Sequence, residues 1–320
     1  MSKSKPKKTH SGFSLPEIAM VLLVIGLLLA GIASASRLVN YTLLNTAREV
    51  TENTAINYMR RDVVIWLDST SKESFSDSET NNDSSISVWS ETKSGTATLA
   101  NAAQSTVSKQ PIYVASAING LPALKFDGLD DLMSITANYT TSSYPPFCNS
   151  FSVFLLAQAM ENITVATESV SGTAGQTSQR YALFPPSGDV VYSGSLAPTS
   201  SAGISFGLNG VSFYENANSY TPPIMSSPAG YSPPVAILME YSNKTPKLYV
   251  NGRLVRSGLT SSKGCVFPPF HIGGGPSPWA TYGNFSGYIG EIIMIDRALT
   301  AEERVDIFTY LKKKWKLNSN

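Results

Sequence analysis

Residues 7–35 read KKTHSGFSLPEIAMVLLVIGLLLAGIASA, and the reading of this stretch decides the fold. A short leader carrying Lys3, Lys5, Lys7 and Lys8 meets Gly12. Phe13 follows, and then an apolar run broken only by Pro16 and Glu17. At about 1.5 Å per helical residue, 13–35 is long enough to cross a hydrocarbon core of about 30 Å. The stretch therefore predicts a transmembrane helix whose basic leader stays on the cytoplasmic side. A secretory signal peptide is the alternative, but the run is long for one and helical periodicity continues past it.

Helical periodicity continues beyond the apolar run. Val39, Leu43, Ala47, Val50, Thr54 and Tyr58 recur at three- and four-residue steps, so one helix is expected from about Ser14 to about Tyr58. The period then changes. Asp62-Val63-Val64-Ile65-Trp66-Leu67-Asp68 reads as a strand, and 69–85 as an exposed polar loop. From Ile86 to about Ile295, short β-type runs alternate with Gly, Pro and Asn turns, the pattern of a sandwich. Asn251-Gly252 between two such runs predicts a two-residue type I′ hairpin. The chain closes with a helix over about 300–316, opened by the capping box Thr300-Ala301-Glu302-Glu303. Phe308, Leu311 and Trp315 form its apolar stripe, and Lys312, Lys313, Lys314 and Lys316 suit the dipole at its end.

Charged residues are sparse at 15% and the net charge is +1, which leaves no footprint for a nucleic-acid partner. Cys148 and Cys265 are too few for a disulfide scaffold or a zinc site, and sequence leaves their pairing open.

Two resemblances cover most of the chain. Gly12-Phe13-Ser14-Leu15-Pro16-Glu17 and the run after it resemble the N-terminus of type IV prepilins and pseudopilins. That family implies cleavage between Gly12 and Phe13 by a prepilin peptidase, methylation of the new N-terminus, and contact with inner-membrane assembly machinery and other pilin subunits. Glu17 would then meet the Phe13 amine of a neighbour, because a carboxylate in a spanning helix is costly and needs a partner. Ile65-Trp66-Leu67-Asp68, the run Asn119 to Gly128, Asp130-Asp131, the hairpin 248–252 and the ending 289–304 resemble concanavalin A-like, laminin-G-like jelly-rolls.

The expected fold is a long N-terminal α-helix, transmembrane then amphipathic, plus an all-β jelly-roll sandwich closed by a short C-terminal helix. The expected domains are a leader at 1–12, the helical segment at 13–61 with its span at about 13–35, and the sandwich at 62–320. The implied protein is a minor pilin displaying a lectin-like head for glycan or surface protein. It would be a single-pass inner-membrane protein with a periplasmic head, later part of a pilus or pseudopilus. A type II secretion pseudopilin and a membrane-tethered glycan hydrolase are the alternatives.

Within the head, Asp127, Asp130 and Asp131 flank Gly128, where oxygen ligands could hold Ca²⁺ or simply cap a turn. Trp279 and Tyr282 are expected to stack on a ligand, with Tyr214 and Tyr220 weaker choices. No enzyme is expected. Glu291 and Asp296 lie at an odd offset on a closing strand, hence on opposite faces, and His271 sits in an apolar stretch without triad partners.

Overall fold

A computed structural model describes residues 15–59, 61–92, 101–135, 148–186, 199–217, 220–231 and 234–318, with the backbone alone over 30–37. Gly12 and Phe13 lie outside the described residues. The chain divides into two compact units, 1–43 and 44–320.

The helix α1 spans Leu15–Glu52. Leu, Ile, Val and Ala dominate it, Pro16 falls in its first turn where no donor is lost, and Glu17 suits the positive helix start. In the first unit its apolar side chains stand exposed, from 46% at Ile25 to 84% at Leu15. The expectation of a membrane-spanning helix is corrected here. Among the described residues, no helix is long and apolar enough to cross a membrane. The apolar side chains described run over 15–29, which rises about 22 Å against a core of about 30 Å. The single-pass inner-membrane placement falls with that expectation.

The helix also ends sooner than its periodicity suggests. A 3₁₀ turn at Ala55–Met59 follows it, and Tyr58 points to solvent at 93% exposure. Ala47 and Thr54 do bury as the stripe predicts. The segment 69–85 is only partly an exposed loop, since Thr70, Ser74 and Phe75 are buried.

The second unit is an all-β sandwich of two sheets, with strands numbered in chain order. In spatial order the first sheet holds β14 (Arg253–Ser257), β13 (Thr245–Val250), β12 (Val235–Ser242), β7 (Phe151–Ala159), β17 (Ser286–Ile295), β5 (Leu121–Asp127) and β4 (Ile112–Ile118). One edge of β17 is shared: residues 286–289 pair β5, and its C-terminal half pairs β1 (Val63–Asp68). The second sheet holds β11 (Pro223–Ser227), β10 (Gly210–Asn216), β9 (Thr199–Gly207), β8 (Tyr181–Phe184), β16 (His271–Ile272), β6 (Met133–Ile135), β3 (Ala102–Ala103) and β2 (Val88–Trp89). β15 (Cys265–Phe267) runs parallel to β9, and Cys265 is bridged to Cys148 with Cα atoms 5.5 Å apart.

Apolar side chains of both sheets meet in one core. Phe285 stands 6.3 Å from Phe206 and 6.4 Å from Phe126 between ring centroids, across the sandwich. The β13–β14 hairpin turns at Asn251 (φ 50°) and Gly252 (φ 90°), the two positive angles a type I′ turn requires. The closing helix α2 spans Ala301–Trp315 and buries Ile307, Phe308, Leu311 and Trp315. Thr300 caps it, accepting from Glu303 N while the Glu303 side chain accepts from Thr300 N.

Lys314 departs from its expected place. It does not lie along the helix end in solvent but is buried, with Nζ 2.6 Å from Asp68 Oδ2 and 2.9 Å from Glu291 Oε2.

Candidate functional site

The Asp127–Asp131 turn follows β5. Gly128 takes φ +80°, and a Cβ there would come within 2.8 Å of Ser286 Cβ, so glycine is required by both angle and space. Asp127 Oδ1 accepts from Leu129 N at 2.8 Å and from Asp130 N at 3.3 Å, an Asx-type turn. Asp131 Oδ2 accepts from Asp127 N at 2.9 Å. Carboxylate oxygens of Asp127, Asp130 and Asp131 lie within 4.8 Å of one another, with Asp127 and Asp130 exposed and Asp131 buried. Oxygen donors at that spacing suit a hard cation, although two of the three also hold their own turn. Burial, followed by the neighbouring Asp127 and Asp130 charges and against the hydrogen bond from Asp127 N, pushes the Asp131 carboxyl up to about 7.

Beside this turn lies a cleft of about 310 Å³ with a mixed lining, in which Leu129, Leu132 and Pro276 stand among polar residues. Gln104 and Lys109 come from the segment after β3, Asp130 from the Asp turn, Ser134 from β6, and Ser277 and Asn284 from the loop before β17. Asn284 is 6% exposed; its Nδ2 donates to Leu129 O, and its Oδ1 finds no partner among the described residues. Ser134 Oγ lies 3.0 Å from His271 Nδ1 at the cleft wall. Burial pushes the His271 imidazole down to about 4, so the ring stays neutral near pH 7.

Trp279 and Tyr282 share one 3₁₀ turn, Trp279–Tyr282, whose Ala280 lines the cleft. Their half-buried rings pack on Phe184, at 6.4 and 6.0 Å between centroids, beside buried Tyr181 and Tyr214. The structure thus brings Ala280 of this turn and Asp130 to one cleft, while Trp279 and Tyr282 themselves pack on Phe184 and do not line it. Tyr214 is buried in the core cluster, and Tyr220 lies elsewhere, with Lys263 Nζ 4.0 Å from its ring centroid. Sequence reasoning missed Gln104, Lys109, Ser134 and Asn284. Each is an ordinary polar residue in its own segment, and only the Asp130-Asp131 pair gave a local signal near them.

No family model matches the chain, and a search of curated proteins finds no match. Solved structures do match in fold. The Trypanosoma rangeli sialidase in complex with sialic acid is similar over 78% of this chain and 33% of its own length, at 15% identity and TM-score 0.44. Domain 4 of AbnA, a GH43 extracellular arabinanase from Geobacillus stearothermophilus in complex with arabinotriose, is similar over 62% and 81%, at 16% identity and TM-score 0.35. The binding domain of botulinum neurotoxin DC in complex with rat synaptotagmin II is similar over 79% and 52%, at 12% identity and TM-score 0.41. The chain spans about a third of the length of the sialidases it matches. These likenesses describe a β-sandwich fold alone. They correct the expectation that the chain is not an enzyme, because sialidases recur among the matches and the fold gives no ground for excluding catalysis.

Proposed function

We propose that the sandwich is a glycan-directed head and that α1 joins it to helices of other copies in a pilus-like fibre. The observation that carries the first half is the cleft. Gln104, Lys109, Asp130, Ser134, Ser277 and Asn284 converge on about 310 Å³, a mixed set of donors and acceptors suited to a ligand rich in hydroxyls. Glycan-array binding by the whole chain tests it. Lys109→Ala and Asp130→Ala are expected to weaken binding about tenfold or more, the loss of one charge-assisted hydrogen bond each. A blank array, or binding indifferent to both changes, would sink the reading.

Glycan hydrolysis is the second reading, favoured by Asp131. Its carboxyl, raised to about 7 beside the Asp127 and Asp130 carboxyls, has the form of a general acid next to candidate bases. Reducing-sugar release abolished by Asp131→Asn would decide for it. Release unaffected by that change would decide against it.

The fibre half rests on the apolar surface of α1, where Leu22, Leu23, Leu27 and Leu28 are each more than 60% exposed. Such a surface needs cover, and a second helix of the same kind supplies it. Cleavage between Gly12 and Phe13 by a prepilin peptidase, and pairing of Glu17 with the Phe13 amine of a neighbour, belong to this proposal. A pseudopilus of a type II secretion system is its variant. Cysteine placed at Leu22 or Ile25 should cross-link copies into disulfide-bonded dimers, since Cys148 and Cys265 are bridged to each other; monomer alone would refute assembly through α1.

A further inference from the structure

Asp68 on β1 and Glu291 on β17 are cross-strand partners. The side chain of Lys314, from α2, lies against both, with Nζ 2.6 Å from Asp68 Oδ2 and 2.9 Å from Glu291 Oε2. None of the three side chains is more than 1% exposed. Aromatic groups close the site. Trp66 Nε1 donates to Glu291 Oε1 at 2.8 Å, Tyr310 OH to the same oxygen at 2.6 Å, and Trp315 Nε1 to Oε2 at 2.7 Å. Trp315 presses so closely on β17 that a Cβ on Gly290 would lie 2.5 Å from its ring.

Asp68 is held differently. Its Oδ1 accepts from Thr70 N at 2.9 Å and from Thr70 Oγ1 at 2.8 Å, while its Oδ2 faces Lys314. One oxygen therefore sits in a two-donor cradle, and the other faces an amine. Donors fixed on an oxygen that gains charge are what addition to a carboxyl carbon requires. Reactants held at contact distance also need no encounter step.

We propose that Lys314 and Asp68 condense to an intramolecular amide, with Glu291 relaying the proton. The Lys314 ammonium first passes one proton to Asp68 Oδ2, giving a neutral amine and a carboxylic acid. Nζ then adds to Asp68 Cγ, and the Thr70 N–H and hydroxyl hold the negative charge that forms on Oδ1. Glu291 takes a proton from the new N–C adduct and delivers it to the Oδ2 hydroxyl. The Cγ–Oδ2 bond breaks, one water leaves, and Glu291 returns to its starting state. One ammonium and one carboxylate become one amide and one water, with no external reactant. Burial favours this outcome, because it removes an ion pair from a site where ions are poorly solvated. Burial, ahead of the opposing Lys314 charge, also raises the affinity of Glu291 for a proton, as a relay requires.

The bond would join the first strand of the sandwich to its last helix, and it stands apart from the glycan reading. Mass spectrometry of the full chain, reduced and denatured, tests it directly. The expected result is a mass one water below that of the unlinked chain, and a branched peptide linking Asp68 to Lys314 after digestion. Asp68→Ala and Lys314→Arg should each restore the lost water, and Glu291→Gln should restore it while keeping both reacting groups. The wild-type measurement decides even where a variant fails to fold. An unlinked wild-type chain overturns the proposal, and a branch through Glu291 overturns the assigned acceptor.

Discussion

Asp68 and Glu291 stand opposite one another across β1 and β17, two buried carboxylates with the Lys314 ammonium set between them. Removing that cation leaves like charges together without solvent. Lys314→Met, which removes the ion pair of an unlinked chain and the amide of a linked one alike, should therefore cost at least about 3–5 kcal/mol. Denaturant unfolding measures it, and a cost under about 1 kcal/mol would show that the cluster adds little to stability.

Glu215 predicts a pH effect. It is buried on β10, accepting from Ser261 Oγ at 2.6 Å, from Tyr241 OH at 3.2 Å and from Ser200 Oγ at 3.3 Å. Burial outweighs these hydrogen bonds and pushes its carboxyl up to about 7. The folded state then holds a proton that the unfolded chain releases above about 4.5, so stability falls as pH rises through about 4.5 to 7. Over that window, wild type should lose about 3 kcal/mol more than Glu215→Gln. Parallel stability curves for the two would refute the assignment.

His271 acts in the opposite direction. Burial holds it neutral to about 4, whereas the unfolded chain takes up a proton below about 6.5. Its contribution is present above pH 6.5 and is lost as pH falls toward 4. The slopes of Glu215 and His271 oppose each other between about pH 4.5 and 6.5. His271→Gln should thus make stability fall more steeply with rising pH than in wild type, and an unchanged slope would count against a neutral buried ring.

Thr300 supplies the cap of α2, and Glu303 completes the box while also taking two hydrogen bonds from Arg297 at 2.7 and 2.8 Å. Thr300→Ala should cost about 1 kcal/mol. Thermal unfolding measures this, with Thr300→Ser expected to recover most of the loss.

The features legible in the sequence are those written in a few adjacent residues. Asn251-Gly252 carries its turn in its own backbone preferences, and Thr300 and Glu303 carry a cap three residues long. The strand Val63–Asp68 announces itself by β-branched and aromatic residues. Lys314 gave no such sign. Among Lys312, Lys313 and Lys316 nothing local distinguishes the one that turns inward, because its partners Asp68 and Glu291 arrive from distant segments. Periodicity also overran at α1, where the chain breaks at Glu52 and Tyr58 leaves the stripe. The cleft was illegible for a related reason: it is assembled from residues 104–109, 129–134 and 275–284, none of which marks a site alone.

β17 borders β7 on one side and both β5 and β1 on the other. Tension reaching the sandwich through its N-terminal side meets Arg48 and Thr51, hydrogen-bonded to Thr70 and Tyr310, and then β1, which lies along β17. It is therefore delivered to the mechanical backbone of the sheet and spread to β7 and β5. The β13–β14 hairpin, at the far edge, carries none of this load directly. The cleft takes only Ser134 from a strand, on the opposite sheet, so the load path along β17 passes it by, connected to it through the loops at residues 129–132 and 284.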